Sequence, residues 1–255
     1  MWNSSSARGR GRIDGRRHLR VSATRALLIG NSRWHWAVQQ VEGHPWTFDH
    51  AAPTPDQINT TDLIWAAVGE VPDALRRSGC SRLKLEHVPL QGCPPWLGID
   101  RALGAWGAWS RQLNRGGAPA NGLLLVDAGT VLSLTLLDRN GRFSGGRLLP
   151  GLRLQLQAMN AGTALLPVVQ ANAIPAQAFP VETADAMRSG VMQGMVAAVV
   201  EAQRTSGAHL WLCGGDAPWL AKELNNRGLT LELDLDLQLQ AMVALRSVLT
   251  PIPGR

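Results

Sequence analysis

The sequence predicts an α/β protein made of two similar halves with a ligand cleft between them. Three observations carry that reading. An apolar run, Leu123-Leu-Leu-Val126, ends in Asp127-Ala-Gly129-Thr130, and an alternating run from Val131 to Leu137 follows at once. The same design stands earlier, at Leu27-Leu28-Ile29-Gly30-Asn31-Ser32, before Trp34-His35-Trp36-Ala37-Val38. In both halves, strands then interleave with helices, which favours the α/β class. Each repeat reads as a β-hairpin whose tight turn offers backbone N–H groups and a hydroxyl to an anion. In the second, the acid beside the turn could hold a cation. Two such turns imply two half-sites facing one phosphate-bearing ligand.

The elements follow in order. Ala26–Ile29 and Arg33–Val41 form a strand pair, with Trp46–His50 as a candidate third strand before Pro53-Thr-Pro55 breaks the run. Asp62–Val68 is a short buried-type strand, and Pro72–Ser78 a helix begun by proline in its first turn. Arg82–Val88 alternates and reads as a strand. Gly98 to Leu113 has helical spacing of Leu103, Trp106 and Trp109, and Asn114–Pro119 clusters turn-formers as a linker. The second half opens with strands Leu123–Val126, Val131–Leu137 and Arg142–Leu149, with Asn140-Gly141 turning the second into the third. A helix at Gly151–Ala161 and a longer one at Thr183–Arg204 precede a strand at Ala208–Cys213. A helix at Asp216–Asn225, a strand at Leu229–Leu233 and a helix at Leu235–Leu249 close the chain. Each half thus reads in outline strand, strand, strand, helix, strand, helix, with the connections of the first half left open.

Length, 255 residues, allows one large domain or two of roughly 100–150 residues each. A formal charge of +6 suggests a polyanionic partner, but its placement argues otherwise. Residues 1–25 hold seven arginines and a single acid, Asp14, leaving 18 basic and 18 acidic residues for the rest. The basicity therefore belongs to a tail and not to a face of the fold, so no nucleic acid is expected for the folded body. The Ser/Gly/Arg-rich tail has the composition of a disordered segment and lacks the apolar stretch of a secretory signal. No run of about 20 apolar residues exists, so no membrane span is expected. Cys80, Cys93 and Cys213 are widely separated, which argues against zinc or a disulfide framework and fits a reducing cytosol.

Five stretches in chain order resemble one family. They are Gly30-Asn31-Ser32; Leu97-Gly98-Ile99-Asp100-Arg101; Asp127-Ala-Gly129-Thr130 with Gly145-Gly146-Arg-Leu-Leu-Pro150-Gly151; Thr183 before Asp185-Ala-Met-Arg-Ser189-Gly190; and Cys213-Gly214-Gly215-Asp216-Ala217. Together they resemble the type III pantothenate kinases of the actin/hexokinase/Hsp70-like superfamily, as a divergent, cyanobacterial-like member. The resemblance implies two ribonuclease H-like or actin-like domains, at residues 25–117 and 118–255, after the tail at 1–24. It implies transfer of the ATP γ-phosphoryl group to the terminal hydroxyl of pantothenate, the first step of coenzyme A synthesis. Mg2+, a monovalent cation (K+ or NH4+), a homodimer and a cytoplasmic location come with it.

By the same resemblance, Asp100 is the catalytic base. Gln91, Gly98, Ile99, Asp100, Arg101 and Thr183 bind pantothenate. Gly30, Asn31, Ser32, His35, Gly129, Thr130, Gly214 and Gly215 bind ATP, and Asp127 holds the monovalent cation. The residue types suit phosphoryl transfer, which is mostly positioning and charge neutralisation. Plainer readings stand beside these. Asp100 could be a helix-start acid favoured by the macrodipole, and Asp127 an Asp closing a turn. Thr183 could cap a helix, and Gly214-Gly215-Asp216 could be an ordinary strand-to-helix turn. Arg101 could bind pantothenate's carboxylate or pair with Asp100, and a guanidinium there should keep Asp100 ionised. Trp34, Trp36, Trp106 and Trp109 read as core or dimer contacts before ligand stacking.

The chain departs from the family at three places. The first hairpin normally begins Asp-x-Gly-Asn-Thr, and here the acid's position is Leu28. A common lysine in that hairpin is His35, and a usual tyrosine seven residues before Gly98 is Gln91. Loss of the first acid bears on divalent-metal handling, which would fall to ATP and waters or to Asp127. It also motivates an alternative, a catalytically impaired homologue acting as a ligand-binding regulator. A sugar or acetate kinase of the same superfamily is a third possibility.

Overall fold

Two five-stranded mixed sheets repeat one topology. The computed structural model describes residues 23–55, 58 and 62–249. The first sheet contains β1 (Thr24–Ile29), β2 (Trp34–Gln39), β3 (Thr47–Ala51), β4 (Leu63–Ala67) and β5 (Ser81–Arg82), in the order β3-β2-β1-β4-β5. The second contains β6 (Leu123–Ala128), β7 (Val131–Leu137), β8 (Phe143–Pro150), β9 (His209–Cys213) and β10 (Leu231–Leu233), in the order β10-β9-β6-β7-β8. In each, the first three strands form an antiparallel meander and the last two pair parallel. The order of strands within each half is therefore the same, as the paired hairpin motifs anticipated.

The helices follow from where the strands bury their faces. β1 and β6 are apolar without alternation because both of their faces are covered. Leu27 and Ile29 join Trp34, Leu63, Trp65 and Leu75 on the outer side of the first sheet. Leu124 and Val126 join the outer core of the second, under α3 (Leu152–Ala161), α4 (Thr183–Ser206) and α5 (Ala217–Asn226). The inner faces share one core. Ala26, Leu28 and Ala66 from the first sheet, and Leu123, Leu125 and Leu137 from the second, meet over α2 (Ile99–Gly116) and α6 (Leu237–Ala244).

Those two helices tie the halves together. α2 packs on α6, on β6 and β7, and on β4, while α6 packs on β1 and β2. The approach is close because α2 presents Ala102, Gly104, Ala105, Gly107 and Ala108 to its neighbours. A Cβ on Gly104 would stand 2.8 Å from Leu125 Cδ2, and one on Gly107 3.2 Å from the Leu237 carbonyl oxygen.

Several expectations need correction. Arg82–Val88 is not a strand: β5 ends at Arg82 and a 3₁₀ turn spans Leu85–His87. Its alternating pattern was overridden by local bonding, in which the Lys84 N–H donates to His87 Nδ1 and the His87 N–H to the Lys84 carbonyl. The first half has no helix between β3 and β4 among the described residues, so the two halves repeat in their sheets but not in every connection. α2 runs on to Gly116, and the expected linker starts only there, at Gly117 with φ 81°. The final helix is broken at Leu245 into α6 and α7 (Arg246–Leu249). The tail lies outside the described residues up to position 22, while Thr24 is already a buried member of β1. The four tryptophans do serve the core: Trp34 is buried, Trp36 packs beside it, and Trp106 and Trp109 pack on the inner core. Among the described residues, no helix is long and apolar enough to cross a membrane.

If the small face of α2 sets the spacing of the halves, Gly107→Val should destabilise the chain by about 1–3 kcal/mol through overpacking. Replacing a helical glycine returns only about 0.5–1 kcal/mol of propensity, so crowding wins. The urea midpoint is expected to fall with its slope unchanged; an unmoved midpoint would show that the interface has room.

Candidate active site

The two hairpin turns touch. Ser32 Oγ lies 2.7 Å from Thr130 Oγ1, joining the β1–β2 turn to the β6–β7 turn across 98 residues of chain. Each turn closes by a short backbone bond, Gly30 N–H to the Arg33 carbonyl and Gly129 N–H to the Val131 carbonyl. Each is also backed by a glycine that follows the neighbouring parallel strand. After β4, a Cβ on Gly69 would fall 2.2 Å from the Gly30 carbonyl oxygen. After β9, Gly214 adopts φ 94°, and its Cβ would fall 2.5 Å from Asp127 Oδ1 and 2.6 Å from the Ala128 carbonyl oxygen. Only glycine fits either place, for lack of room and, at Gly214, for the left-handed backbone. Sequence reading singled out Gly214 but missed Gly69, because Val68-Gly69-Glu70 carries no glycine pair to draw attention.

Two carboxyls share the crevice behind these turns. Asp100 stands in the first turn of α2, where Gly98 precedes it as the cap residue. Asp100 Oδ1 accepts the Arg101 backbone N–H at 2.8 Å. A Cβ on Gly98 would lie 2.6 Å from that oxygen, which explains why a glycine stands two residues before the acid. Asp127 ends β6, and its Oδ2 accepts the Gln238 amide of α6 at 2.8 Å. Burial pushes the Asp127 carboxyl up to about 7; the Asp100 charge adds to this, and Gln238 and Arg101 oppose it. Asp100 is also raised, by burial first, with Arg101 pulling the other way through its backbone bond and its charge. Arg101 favours the ionised form of Asp100 as expected, but loss of water is the larger cause and raises the carboxyl overall.

Arg101 does not pair with Asp100 through a salt bridge among the described residues. Its Nε donates to the buried Thr135 Oγ1 at 3.1 Å, and its guanidinium carbon sits 6.0 Å from the Phe143 ring centroid. Gln91 lies beside this group: its carbonyl accepts the Phe143 N–H at 2.8 Å, and its Oε1 accepts from Arg142 Nη1 at 2.6 Å. Ile99 is buried in the inner core, so its place next to Asp100 anchors the helix start. Gly215 and Asp216 lead into α5, and the Asp216 N–H donates to the Ala128 carbonyl at 2.8 Å. Burial raises the Asp216 carboxyl, while Arg33 and Arg153 oppose it.

Three further placements matter. His35 stands on β2 with its Nδ1 2.7 Å from His50 Nδ1, and Leu28 is its partner in register on β1. The two departures from the family hairpin therefore face each other, so an acid and a lysine are absent together as a cross-strand pair. Asn31 is exposed at the tip of the first turn. Thr183 is the first residue of α4, not its cap: Glu182 holds the cap position and no side chain caps there. α4 packs against α3, α5 and the outer side of the second sheet, whereas Asp100 lies on the inner side. Within the chain, the fold brings Gly30, Ser32, Thr130, Asp127, Asp100, Arg101 and Gly214 to one crevice and leaves Thr183 exposed elsewhere. Gln238, His50, Asp236, Thr135 and Phe143 were not foreseen, since a lone Gln or His on an element carries no spacing signal.

Comparison with known proteins gives a consistent picture. A profile of the family described as type III pantothenate kinase matches residues 88–205. A type III pantothenate kinase of Synechococcus elongatus is 33% identical over 223 residues, covering 78% of this chain and 87% of the relative. That of Thermosynechococcus vestitus is 37% identical over 210 residues, covering 78% and 80%. Among solved structures, a protein described as a Baf family transcriptional activator from Campylobacter jejuni matches with a TM-score of 0.61 at 19% identity, over 87% of this chain and 96% of that one. A 2-dehydro-3-deoxygalactonokinase protein from Sinorhizobium meliloti matches with a TM-score of 0.57 at 13% identity, over 91% and 98%. At these identities the structural likeness shows the fold alone, the two-part α/β architecture of the actin and hexokinase type.

The raised Asp127 carboxyl has a measurable consequence. Its folded value of about 7 lies above the ordinary 3.8, so the folded state keeps a proton that the unfolded chain releases. The stability this confers is present below about pH 4 and is lost as pH rises towards about 7. Urea midpoints in buffers free of small cations should show that loss, and Asp127→Asn should lessen it, leaving the share that Asp100 contributes. Parallel pH profiles for the two proteins would contradict the burial of this carboxyl.

Proposed function

The chain belongs to the type III pantothenate kinase family, and from that membership we infer that it transfers the γ-phosphoryl group of ATP to the terminal hydroxyl of pantothenate, the first step of coenzyme A biosynthesis. The observation that carries the residue assignments is the pair of touching turns with Asp100 and Asp127 coupled behind them. The turns Gly30–Ser32 and Gly129–Thr130 hold the terminal phosphates of ATP through backbone N–H groups and the two hydroxyls, which exchange their mutual bond for phosphate oxygens. Gly214 and Gly215 let the adenosine end approach the backbone.

Asp100 accepts the proton of the pantothenate hydroxyl as its oxygen attacks phosphorus. Its burial makes the carboxylate a stronger base, which suits general-base work. Gly98 keeps the space in which that carboxylate sits. Arg101 binds the carboxylate of pantothenate: Thr135 and Phe143 hold its plane while the remaining guanidinium N–H groups stay available. Gln91 and Ile99 complete the acceptor side, the former in place of the family's tyrosine.

A monovalent cation, K+ or NH4+, fits beside Asp127. The carboxyl is partly enclosed and has no ion-pair partner among the described residues, and the free Oδ1 faces the same side as the Ala128 carbonyl. A bound cation supplies the positive charge that burial denies this acid. No cluster of three or more acidic, His or Cys residues among those described could hold a metal. Mg2+ would be carried by the ATP phosphates and water and would neutralise charge there.

The protein works as a cytoplasmic homodimer of paired domains, residues 25–117 and 118–255 in each copy. Phe179 and Val181 stand more than nine-tenths exposed just before α4, apolar surface that a second copy would cover. Thr183 adjoins it, on the far side from its own Asp100, so its hydroxyl is better placed for a neighbouring copy's pantothenate.

A coupled assay of ADP release with pantothenate as sole acceptor tests this directly. Turnover should depend on pantothenate and rise with potassium. Asp100→Asn should cut kcat by roughly 10²–10⁴-fold while MgATP still binds. Near-normal turnover in that variant would rule out a base at position 100, and turnover with a hexose in preference to pantothenate would rule out the acceptor.

A further inference from the structure

Behind the first phosphate turn runs a chain of three groups that the mechanism above does not use. His35 on β2 faces His50 on β3, its register partner, with their Nδ1 atoms 2.7 Å apart and ring centroids 5.0 Å apart. His50 Nε2 lies 2.9 Å from Asp236 Oδ1, at the residue that precedes α6. At the other end, His35 Nε2 comes within 3.2 Å of where a Cβ on Gly30 would stand. The line therefore leads from a surface carboxylate to the glycine of the turn that receives phosphate.

With both rings neutral and Asp236 a carboxylate, the hydrogen-bond chemistry of this line leaves one arrangement. A carboxylate only accepts, so the hydrogen between His50 and Asp236 belongs to His50 Nε2. A neutral imidazole carries one N–H, so His50 Nδ1 must then accept. His35 Nδ1 is accordingly the donor in the pair, and His35 Nε2, next to Gly30, is left with a bare lone pair. An anion arriving there meets an acceptor. Leu28, opposite on β1, offers no charge to change this. The charges that act directly on His35 come from His50 and from Arg33 in the turn, and both oppose a positive ring. With burial as the largest cause, they lower its value to about 4, so the ring without ligand is neutral at physiological pH.

Resting on the reading of Gly30–Ser32 as a nucleotide-phosphate turn, we propose that His35 is a proton-coupled contact for the terminal phosphate: its Nε2 takes one proton from solvent as the phosphate arrives, and His50 with Asp236 behind it holds the imidazolium that forms. The proton returns to solvent when the phosphate leaves. A fixed cation in the hairpin is thereby replaced by one that appears only with the ligand. The empty site avoids a permanent buried charge, and Asp236, a third exposed, keeps its own solvation. His50 and Asp236 are positioning residues, because neither reaches the turn.

The test is calorimetry of MgATP binding to the full chain without pantothenate, at about pH 8 where the nucleotide is ionised, in buffers of low and high ionisation enthalpy. Up to one proton should be taken up per nucleotide, and Kd should rise with pH above neutrality, by at most about tenfold per unit. His35→Gln keeps a neutral donor and should abolish both the uptake and the slope, and His50→Leu should reduce the uptake. If a variant fails to fold, the buffer dependence of the unaltered chain still decides. Binding with no net proton exchange, or undiminished uptake in His35→Gln, overturns the proposal while leaving the nucleotide site in place. Absence of MgATP binding overturns the nucleotide reading and the proposal with it.

Discussion

Everything in the crevice depends on α2 and α6 lying between two sheets of the same topology. The small side chains of α2 let both inner faces share one core, so the ends of β1 and β6 arrive close enough for Ser32 and Thr130 to bond. The same helices deliver the chemistry: Asp100 and Arg101 open α2, Gln238 lies on α6, and Asp236 stands at the start of α6. Packing and function therefore share a scaffold, and crowding on α2 would be felt at the turns.

Within that scaffold the electrostatics are built on dehydration. The Asp100 charge raises Asp127, yet burial is the larger cause at both carboxyls, and one guanidinium does not offset it. Two carboxyls left short of positive charge suit a site whose ligands bring cations with them. Arg101 bonds Thr135 and lies 6.0 Å from the Phe143 ring centroid, and makes no salt bridge with Asp100 among the described residues, although its charge opposes the rise of that carboxyl. At the first turn the problem is solved differently. Leu28 and His35 face each other as a cross-strand pair that carries no fixed charge.

The sequence made most of the sheets legible because apolar runs that end in turn residues carry their own boundaries. Leu123 to Thr130 and Leu27 to Ser32 fall on β6, β1 and their turns with little displacement. Arg82–Val88 misled because alternation alone does not distinguish a strand from a segment held by a local His87 bond. The second-half helices were clear from spacing, while the break at Leu245 left no glycine or proline to mark it. For the site, Gly98-x-Asp100-Arg101 was readable since the glycine serves the acid two residues on. Gly69, His50, Asp236 and Gln238 were not, because their roles arise only when distant strands meet. The sign of the Asp100 shift was also hidden, as burial depth is a property of the assembled fold.

The claim on which the account rests is that both turns grip one set of phosphates. A structure of the chain with a non-hydrolysable ATP analogue and magnesium tests it most directly. The account expects the terminal phosphate between the Gly30–Ser32 and Gly129–Thr130 turns, with the Ser32–Thr130 bond replaced by bonds to phosphate oxygen. A nucleotide seated elsewhere, such as the hollow lined by Asn121, His209 and Thr230, with Ser32 still bonded to Thr130, would contradict it.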